Sequence, residues 1–581
     1  MTQNEINSQQ KIFLILLFFL LGLVSLYWRY KTLSLIGPFT DHAFYTQWIK
    51  RLVYSSHFFP SQLGDDSFLG SLIADEKSFL NIFFRQIYTC QQLIFTSIAT
   101  LWLFTWAQII GASMESQILI SILTTTLFTF LLSFYPFFIF KYSNCGQDWR
   151  KVLYIGILIF FFSNTSYFIT IFSALGRHNI GVLFLILAII TNTIWVKSGS
   201  FSGPKKITFA AFITQVLAVY SSYANIFILP TATFLYFLLQ PETNNSLRLQ
   251  LGIRYSIFTI ISFLPVFFIL MVIYVSNVDI PVGATLFDIG REALFDIGKG
   301  GAPDTADPNW TLAKRVSYWI FFHRDNFSTP GFIGGLIGLT LITLKYRFSL
   351  PLLVIFCHFL TGSIMTGFYL HKTAAYSLPL LCLGFSFAVF WGCVVIYDCL
   401  TKRKFLEIKF FAAILLAIIL PITHLVSELP KVMDTSKNQW GYVHHIKNNW
   451  APIVRFIEQR IPSKAQFIAW DYPTTNTVLS LIDLEKYPIF PQRPLSTLNM
   501  EHNERRLKSY INSRNLTWHI DTSTYVLAPG KVSKEFLEKT LLNTLGPDGF
   551  DLSKDIRIQQ INQWQFKTSS ESFYILKVDL F

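Results

Sequence analysis

IFLILLFFLLGLVSLYW, residues 12–28, is an uninterrupted apolar run without one charged side chain. A helix rises 1.5 Å per residue, so a run of this kind approaches the roughly 30 Å depth of a bilayer's hydrocarbon core. The run is longer than the apolar part of most secretory signals, and no small-residue cleavage site follows it. It ends in Trp28-Arg29-Tyr30-Lys31, a basic aromatic cluster that reads as an interfacial anchor. The first segment therefore reads as an uncleaved spanning helix.

The rest of the chain repeats the pattern. Further apolar runs lie at about 117–140, 152–171, 179–196, 207–220, 222–240, 255–275, 331–344, 349–367, 374–397 and 410–426. None of the 47 Lys and Arg residues falls inside any of these runs, the first included. Lipid accounts for that separation, because a charge at the bilayer centre is expensive. With 52% hydrophobic and 17% aromatic residues, the 581-residue chain has more apolar surface than one soluble core takes up. The expected fold is a polytopic α-helical membrane protein of about 11 spanning helices over 1–426, followed by a soluble α/β domain over 427–581.

Charge orients it. With the N-terminus inside, the inner loops 1–11, 141–151, 197–206, 241–254, 345–348 and 398–409 carry 15 Lys and Arg, and Lys402-Arg403-Lys404 is the densest cluster. The outer loops ahead of the C-terminal domain carry 13 in more than twice the length, which is the positive-inside bias. The bias holds only if the apolar run 92–111 does not cross, so this run is expected to lie at the outer surface or to re-enter. The net charge of +13 then needs no nucleic acid, since the C-terminal domain is almost balanced with 19 basic and 16 acidic residues. The cysteines are Cys90, Cys145, Cys357, Cys382, Cys393 and Cys399; none is in the C-terminal domain and no CxxC pair occurs, which argues against a disulfide framework or a zinc site.

Four features then meet on the outer side. The long loop 29–116 opens with GPFTDHAFYTQWIKRLVYSSHFFP, where apolar residues from Ala43 to Val53 recur at helical spacing. Asp41 stands at the start of this surface helix, either as its cap or as a catalytic acid or base. The same loop carries His42, Asp65-Asp66 and Asp75-Glu76, for which solvated loop charge is the plainer reading. Second, the tight hairpin FSALGRHN carries Arg177 and His178. Third, the turn YLHKTAAY carries His371 and Lys372. Basic side chains in such turns either bind phosphate or snorkel to the interface. Fourth, the loop 276–330 repeats LFDIG at 286–290 and 294–298 and continues into GKGGAPDTADPNW, a lid or an ordinary connection. Beyond 427, residues 447–461 read as an amphipathic helix, AQFIAWDY and TYVLAP as strands, and 503–513 and 533–545 as helices, with no glycine-rich phosphate loop or nucleophile elbow.

This arrangement resembles the GT-C-type membrane glycosyltransferases, the superfamily of family-39-like proteins, protein O-mannosyltransferases and lipid A aminoarabinose transferases. The likeness rests on the first helix, the long outer loop opening with Thr40-Asp41-His42-Ala43-Phe44-Tyr45, and the basic turns at Arg177 and at His371-Lys372. HKTAAYSLPLLCLG looks like the family's entry into a late helix. His42 stands where the family often has a second acid. The resemblance implies an enzyme of the inner (plasma) membrane that moves a sugar from a polyprenyl-phosphate donor to a glycan, lipid or protein acceptor at the outer face, by inverting displacement. It implies Asp41 as general base and Arg177, His178, His371 and Lys372 as donor or phosphate contacts. His42, Asp65 and Asp66 are candidates for holding the acceptor or a divalent metal. Two other classes stay open. A polysaccharide polymerase or O-antigen-ligase-like protein would depend on outer Arg or His and tolerate loss of Asp41. A transporter or flippase would favour ionisable groups at the midplane, and none was assigned there.

Overall fold

The computed structural model describes residues 8–36, 97–112, 114–143, 148–172, 177–239, 245–275, 311–364, 376–403, 407–433, 452–462, 465–469, 524–528, 558–567 and 572–580. Up to residue 433 these are almost entirely helical. They are α1 (Ser8–Ile36), α2 (Ser97–Ile110), α3 (Met114–Tyr142), α4 (Trp149–Thr165), α5 (Tyr167–Phe172), α6 (Arg177–Lys197), α7 (Lys205–Ser221), α8 (Tyr223–Leu238), α9 (Asn245–Val275), α10 (Leu312–Phe327), α11 (Thr329–Tyr346), α12 (Leu350–Ile364) and α13 (Leu378–Thr401). The last, α14, runs from Ile408 to Met433 through a single π turn at Leu415–Ile419.

Among the described residues, six helices are long and apolar enough to cross a membrane alone, and α10 with α11, bent by 104° at Ser328, is a seventh if the pair is one span. α2, α8 and α12 are apolar but shorter. The apolar runs and the helices coincide closely, because only an α-helix satisfies its backbone polar groups internally in lipid. Breaks fall where side chains cap. Asp148 accepts from the Arg150 N–H to start α4, and Ser222 from the Ala224 N–H to start α8.

α13 and α6 form the centre. Residues 376–389 are buried without a break, as are 178–186, the signature of helices surrounded on all sides. α11 lies directly on α13. A Cβ at Gly338 would run into the Gly384 carbonyl, and one at Gly335 would meet the Leu381 carbonyl at 2.8 Å, so the backbones touch where a side chain would hold them apart. α1 and α9 are peripheral, with Leu16, Leu20, Leu23 and Val24 of α1 and Ile257, Ile260 and Ile261 of α9 exposed. Lipid is the natural solvent for those faces.

α2 falls within the run expected at the surface or re-entering. It folds back along α3: Ser116 donates to the Ile110 carbonyl at the turn (2.8 Å), and Trp102 Nε1 donates to Thr124 Oγ1 eight residues further along each helix (3.1 Å). Its Leu103, Phe104 and Ala107 are buried. The helix thus lies along the bundle and not across its end.

In the C-terminal part a four-stranded sheet has the order β1-β2-β4-β3, from Gln466–Ala469, Thr524–Ala528, Ile558–Lys567 and Ser572–Leu580. β1 and β2 are parallel, and the other pairs are antiparallel. The first two strands answer to AQFIAWDY and TYVLAP. The final hairpin is additional to that reading. Residues 452–460 are helical, and Phe456 packs on Trp564 of β3, with ring centroids 5.1 Å apart. The expected helices near 503–513 and 533–545 and the LFDIG repeat lie outside the described residues.

Candidate functional site

One group of polar side chains lies at the end of the bundle where α1 and α4 finish and α6 and α13 begin. α1 shows how. Its inward stripe is Leu14, Phe18, Gly22, Ser25, Arg29 and Thr32, at spacings of three and four, and it changes from apolar to polar along the helix. Ser25 donates to Asn164 Oδ1 at 2.7 Å, and Trp28 Nε1 to the Asn164 carbonyl at 3.1 Å. Arg29 is 0% exposed and sends Nη2 to Ser163 Oγ on α4 (2.5 Å) and to Thr129 Oγ1 on α3 (3.2 Å). This corrects the sequence reading: α1 continues to Ile36, and Arg29 is a buried interior cation, not an interfacial anchor. The error has a simple source. A helix places residues 29 and 30 about 100° apart, so Tyr30 faces out while Arg29 faces in, and the tetrapeptide alone does not say which.

A second group lies across the same end. His323 on α10 holds the Trp319 carbonyl through Nδ1 (2.8 Å) and meets Ser377 Oγ through Nε2 (2.5 Å). Nδ1 therefore carries the proton, and Ser377 donates to Nε2. Trp319 Nε1 reaches His358 Nδ1 on α12 at 3.4 Å. On α14, His424 meets Ser328 at the α10–α11 bend (2.8 Å). One turn further, the fully buried Glu428 accepts from the Tyr167 N–H of α5 (3.0 Å) and pairs with Lys431 (2.9 Å). Lys431 also donates to the Asp325 carbonyl at 3.3 Å. Beside them Tyr376 donates to Ser222 at 2.6 Å, across a space left by Gly181. His358 and His424 fall inside two of the apolar runs, so the runs do contain ionisable groups, each held by a hydrogen bond.

Of the residues singled out in the sequence, Arg177 is the first residue of α6 and His178 the second. His178 is buried, its ring edge-on to Tyr376 with centroids 6.5 Å apart. His371 and Lys372 precede Tyr376-Ser377, at the start of α13, in the sequence. Asp41 and His42 follow the end of α1. The structure of His371, Lys372, Asp41, His42, Asp65 and Asp66 lies outside the described residues. The end of α1 and the starts of α6 and α13 lie at one end of the bundle. Among the described residues no group of His, Cys, Asp or Glu is arranged as metal ligands would be. Sequence reasoning read Arg29 as an anchor and His323 as part of a segment re-entering the membrane region, and it missed Glu428. The usable signal was Glu428 itself, an acid at helical spacing from His424 in a helix otherwise facing lipid.

No protein-family model matches the sequence, and no curated protein does either. Solved structures do share its fold. ArnT from Cupriavidus metallidurans bound to undecaprenyl phosphate is similar over 97% of this chain and 97% of its own, with a TM-score of 0.54 at 10% identity. The archaeal oligosaccharyltransferase AglB from Archaeoglobus fulgidus, in complex with an inhibitory peptide and a dolichol-phosphate, is similar over 90% of this chain and 70% of its own, with a TM-score of 0.51 at 12% identity. Both are GT-C glycosyltransferases, so the fold expected from the sequence resemblance is the fold observed.

Proposed function

We propose that this chain is a membrane glycosyltransferase that takes a sugar from a polyprenyl-phosphate donor and transfers it to an acceptor hydroxyl at the outer face of the inner (plasma) membrane. The observation that carries the reading is the likeness to ArnT along nearly the whole of both chains, in a structure that holds a polyprenyl phosphate. Fold likeness is an analogy for function. What supports it here is that the elements next to Asp41, Arg177 and Lys372 in the chain, the end of α1 and the starts of α6 and α13, lie at one end of the bundle.

In this reading eleven helices cross the membrane, 427–581 is an extracytoplasmic α/β domain that acts as an accessory, and the α1-exit end is the outer one. The lipid tail of the donor stays in the bilayer and its sugar reaches that end. The Asp41 carboxylate takes the acceptor hydroxyl proton. The new O–C1 bond forms as the C1–O bond to phosphate breaks, and the electron pair leaves on the phosphate. Arg177, His178, His371 and Lys372 bind the donor and stabilise that departing charge. His42, Asp65 and Asp66 serve the acceptor or a divalent cation. His323 and Ser377 fix the start of α13 and so the end of the His371-Lys372 turn.

The test is transfer of a radiolabelled sugar from its polyprenyl-phosphate carrier by the purified full chain in lipid, followed by mass spectrometry of the envelope glycans with and without the gene. Absence of any lipid-linked transfer at good protein quality overturns the reading.

A further inference from the structure

Arg29 makes a demand that its neighbours do not meet. Nη2 has two hydroxyl acceptors, Thr129 and Ser163, which also lie 3.2 Å from each other. Nε and Nη1 are sealed from solvent, and the protein supplies neither with an acceptor among the described residues. No described carboxylate pairs with Arg29, since the ion pairs there are Lys151–Asp148, Arg324–Asp325, Lys402–Asp398 and Lys431–Glu428. Arginine stays protonated in proteins, so a whole positive charge sits in an apolar bundle against neutral hydroxyls. Such a group is costly unless an anion accompanies it.

The surroundings are polar along one line. Gln117, Ser121, Thr125 and Thr129 recur every fourth residue on α3, all buried, and they run from its first turns to Arg29. Both polar atoms of Gln117 and the Ser121 hydroxyl also have no acceptor or donor. α4 stops at Thr165, two residues past Ser163, and the buried Ser166 hydroxyl that follows is unpartnered too. Unpaired buried groups are rare, and a sealed cation with two N–H-bearing nitrogens left without acceptors points to a ligand.

We propose that Arg29 is the floor of an anion site that takes the phosphate of a lipid, entering between α1 and its neighbours, with Thr129 and Ser163 orienting the guanidinium. The lipid source follows from α1, whose Leu20, Leu23, Val24 and Tyr27 are exposed on the face opposite Arg29. Arg29 itself has no solvent exposure, so an amphiphile in the bilayer reaches it past the edge of α1, a route that a soluble anion does not share. The site rests on the transferase reading only for the kind of lipid tried first, a polyprenyl phosphate.

The experiment uses the purified full chain in detergent and farnesyl phosphate as probe, with native mass spectrometry and thermal unfolding as readouts. Farnesol, phosphatidylglycerol and inorganic phosphate are the comparison ligands. Farnesyl phosphate is expected to bind and to raise the unfolding midpoint, while farnesol and inorganic phosphate do neither. Phosphatidylglycerol competing as well as farnesyl phosphate overturns polyprenyl selectivity and assigns the site to a structural lipid. Arg29→Lys should weaken binding about 10-fold, because an ammonium cannot reproduce the planar fork. Arg29→Gln should remove one bound farnesyl phosphate from the native mass spectrum, and Lys402→Gln, at the opposite end, should leave the count unchanged. If Arg29→Gln does not fold, Thr129→Val with Ser163→Ala keeps the charge and should cost about 10-fold. Unchanged binding in the Arg29 or the paired variants overturns the site, and a carboxylate of the chain is then the partner of Arg29. Inorganic phosphate matching farnesyl phosphate overturns the lipid source. Arg29-dependent binding in a protein that transfers no sugar leaves the site standing and removes the transferase reading.

Discussion

At the scale of single residues, a carboxylate can act as base, cap or charge partner, and substitution separates the roles. Asp41→Asn keeps the size and much of the capping ability of Asp41 and removes the proton acceptor. Transfer from the lipid-linked donor is expected to fall about 100-fold or more at unchanged protein level, measured in membranes at matched expression. Near-normal transfer would move the assignment towards a polymerase or ligase that works through outer Arg and His. Glu428 has the opposite profile. Its carboxylate holds the start of α5 and the Lys431 ammonium from a fully buried position, so Glu428→Ala should lower stability by about 2 kcal/mol in detergent unfolding. Lys431 is half-exposed and regains water, which keeps the loss near that value rather than above it. A variant as stable as the parent would show that the contact to α5 is dispensable.

At the scale of elements, two interfaces carry sharp expectations. The α11–α13 contact is backbone against backbone at Gly338 and Gly384, with no room for a methyl group. Gly338→Val should cost about 1–3 kcal/mol by overpacking and lower the thermal midpoint, whereas Thr340→Val, two residues on and exposed, should change it little. Equal midpoints for the two variants would mean that the helices part easily. Orientation is also a property of elements. Ser202 is exposed in the short connection between α6 and α7, inside a basic loop expected to face the cytoplasm. A cysteine placed there should react with a membrane-impermeant maleimide only after permeabilisation. Labelling in intact cells would invert the topology and with it the outer site.

For the whole molecule, the sheet and the helix at 452–460 have contacts of their own, including Phe456 and Tyr525 on Trp564. A 430–581 fragment is therefore expected to fold, to give a mixed α/β circular dichroism spectrum, and to turn over no lipid-linked sugar. Turnover by the fragment alone would relocate the chemistry. The placing of the apolar helices was legible in the sequence because lipid imposes one rule on every residue of a span, and a rule read residue by residue needs no knowledge of neighbours. β1 and β2 were legible as short apolar strands. The β3–β4 hairpin was not, since SESFYILKVDLF and its partner show themselves as strands only when paired. What the tertiary structure decided is which face of each helix looks inward. Lys and Arg counting placed Arg29 at a membrane boundary; packing of α1 against α3 and α4 turned it into the interior between Thr129 and Ser163. His323 and Ser377 are 54 residues apart, and Glu428 and Tyr167 are 261 apart, so no local pattern could pair them. Composition and periodicity determine that a segment enters the membrane, because transfer free energy is close to a sum over residues. The polar cluster at the bundle's end depends on which helices become neighbours, and that is settled only when the bundle closes.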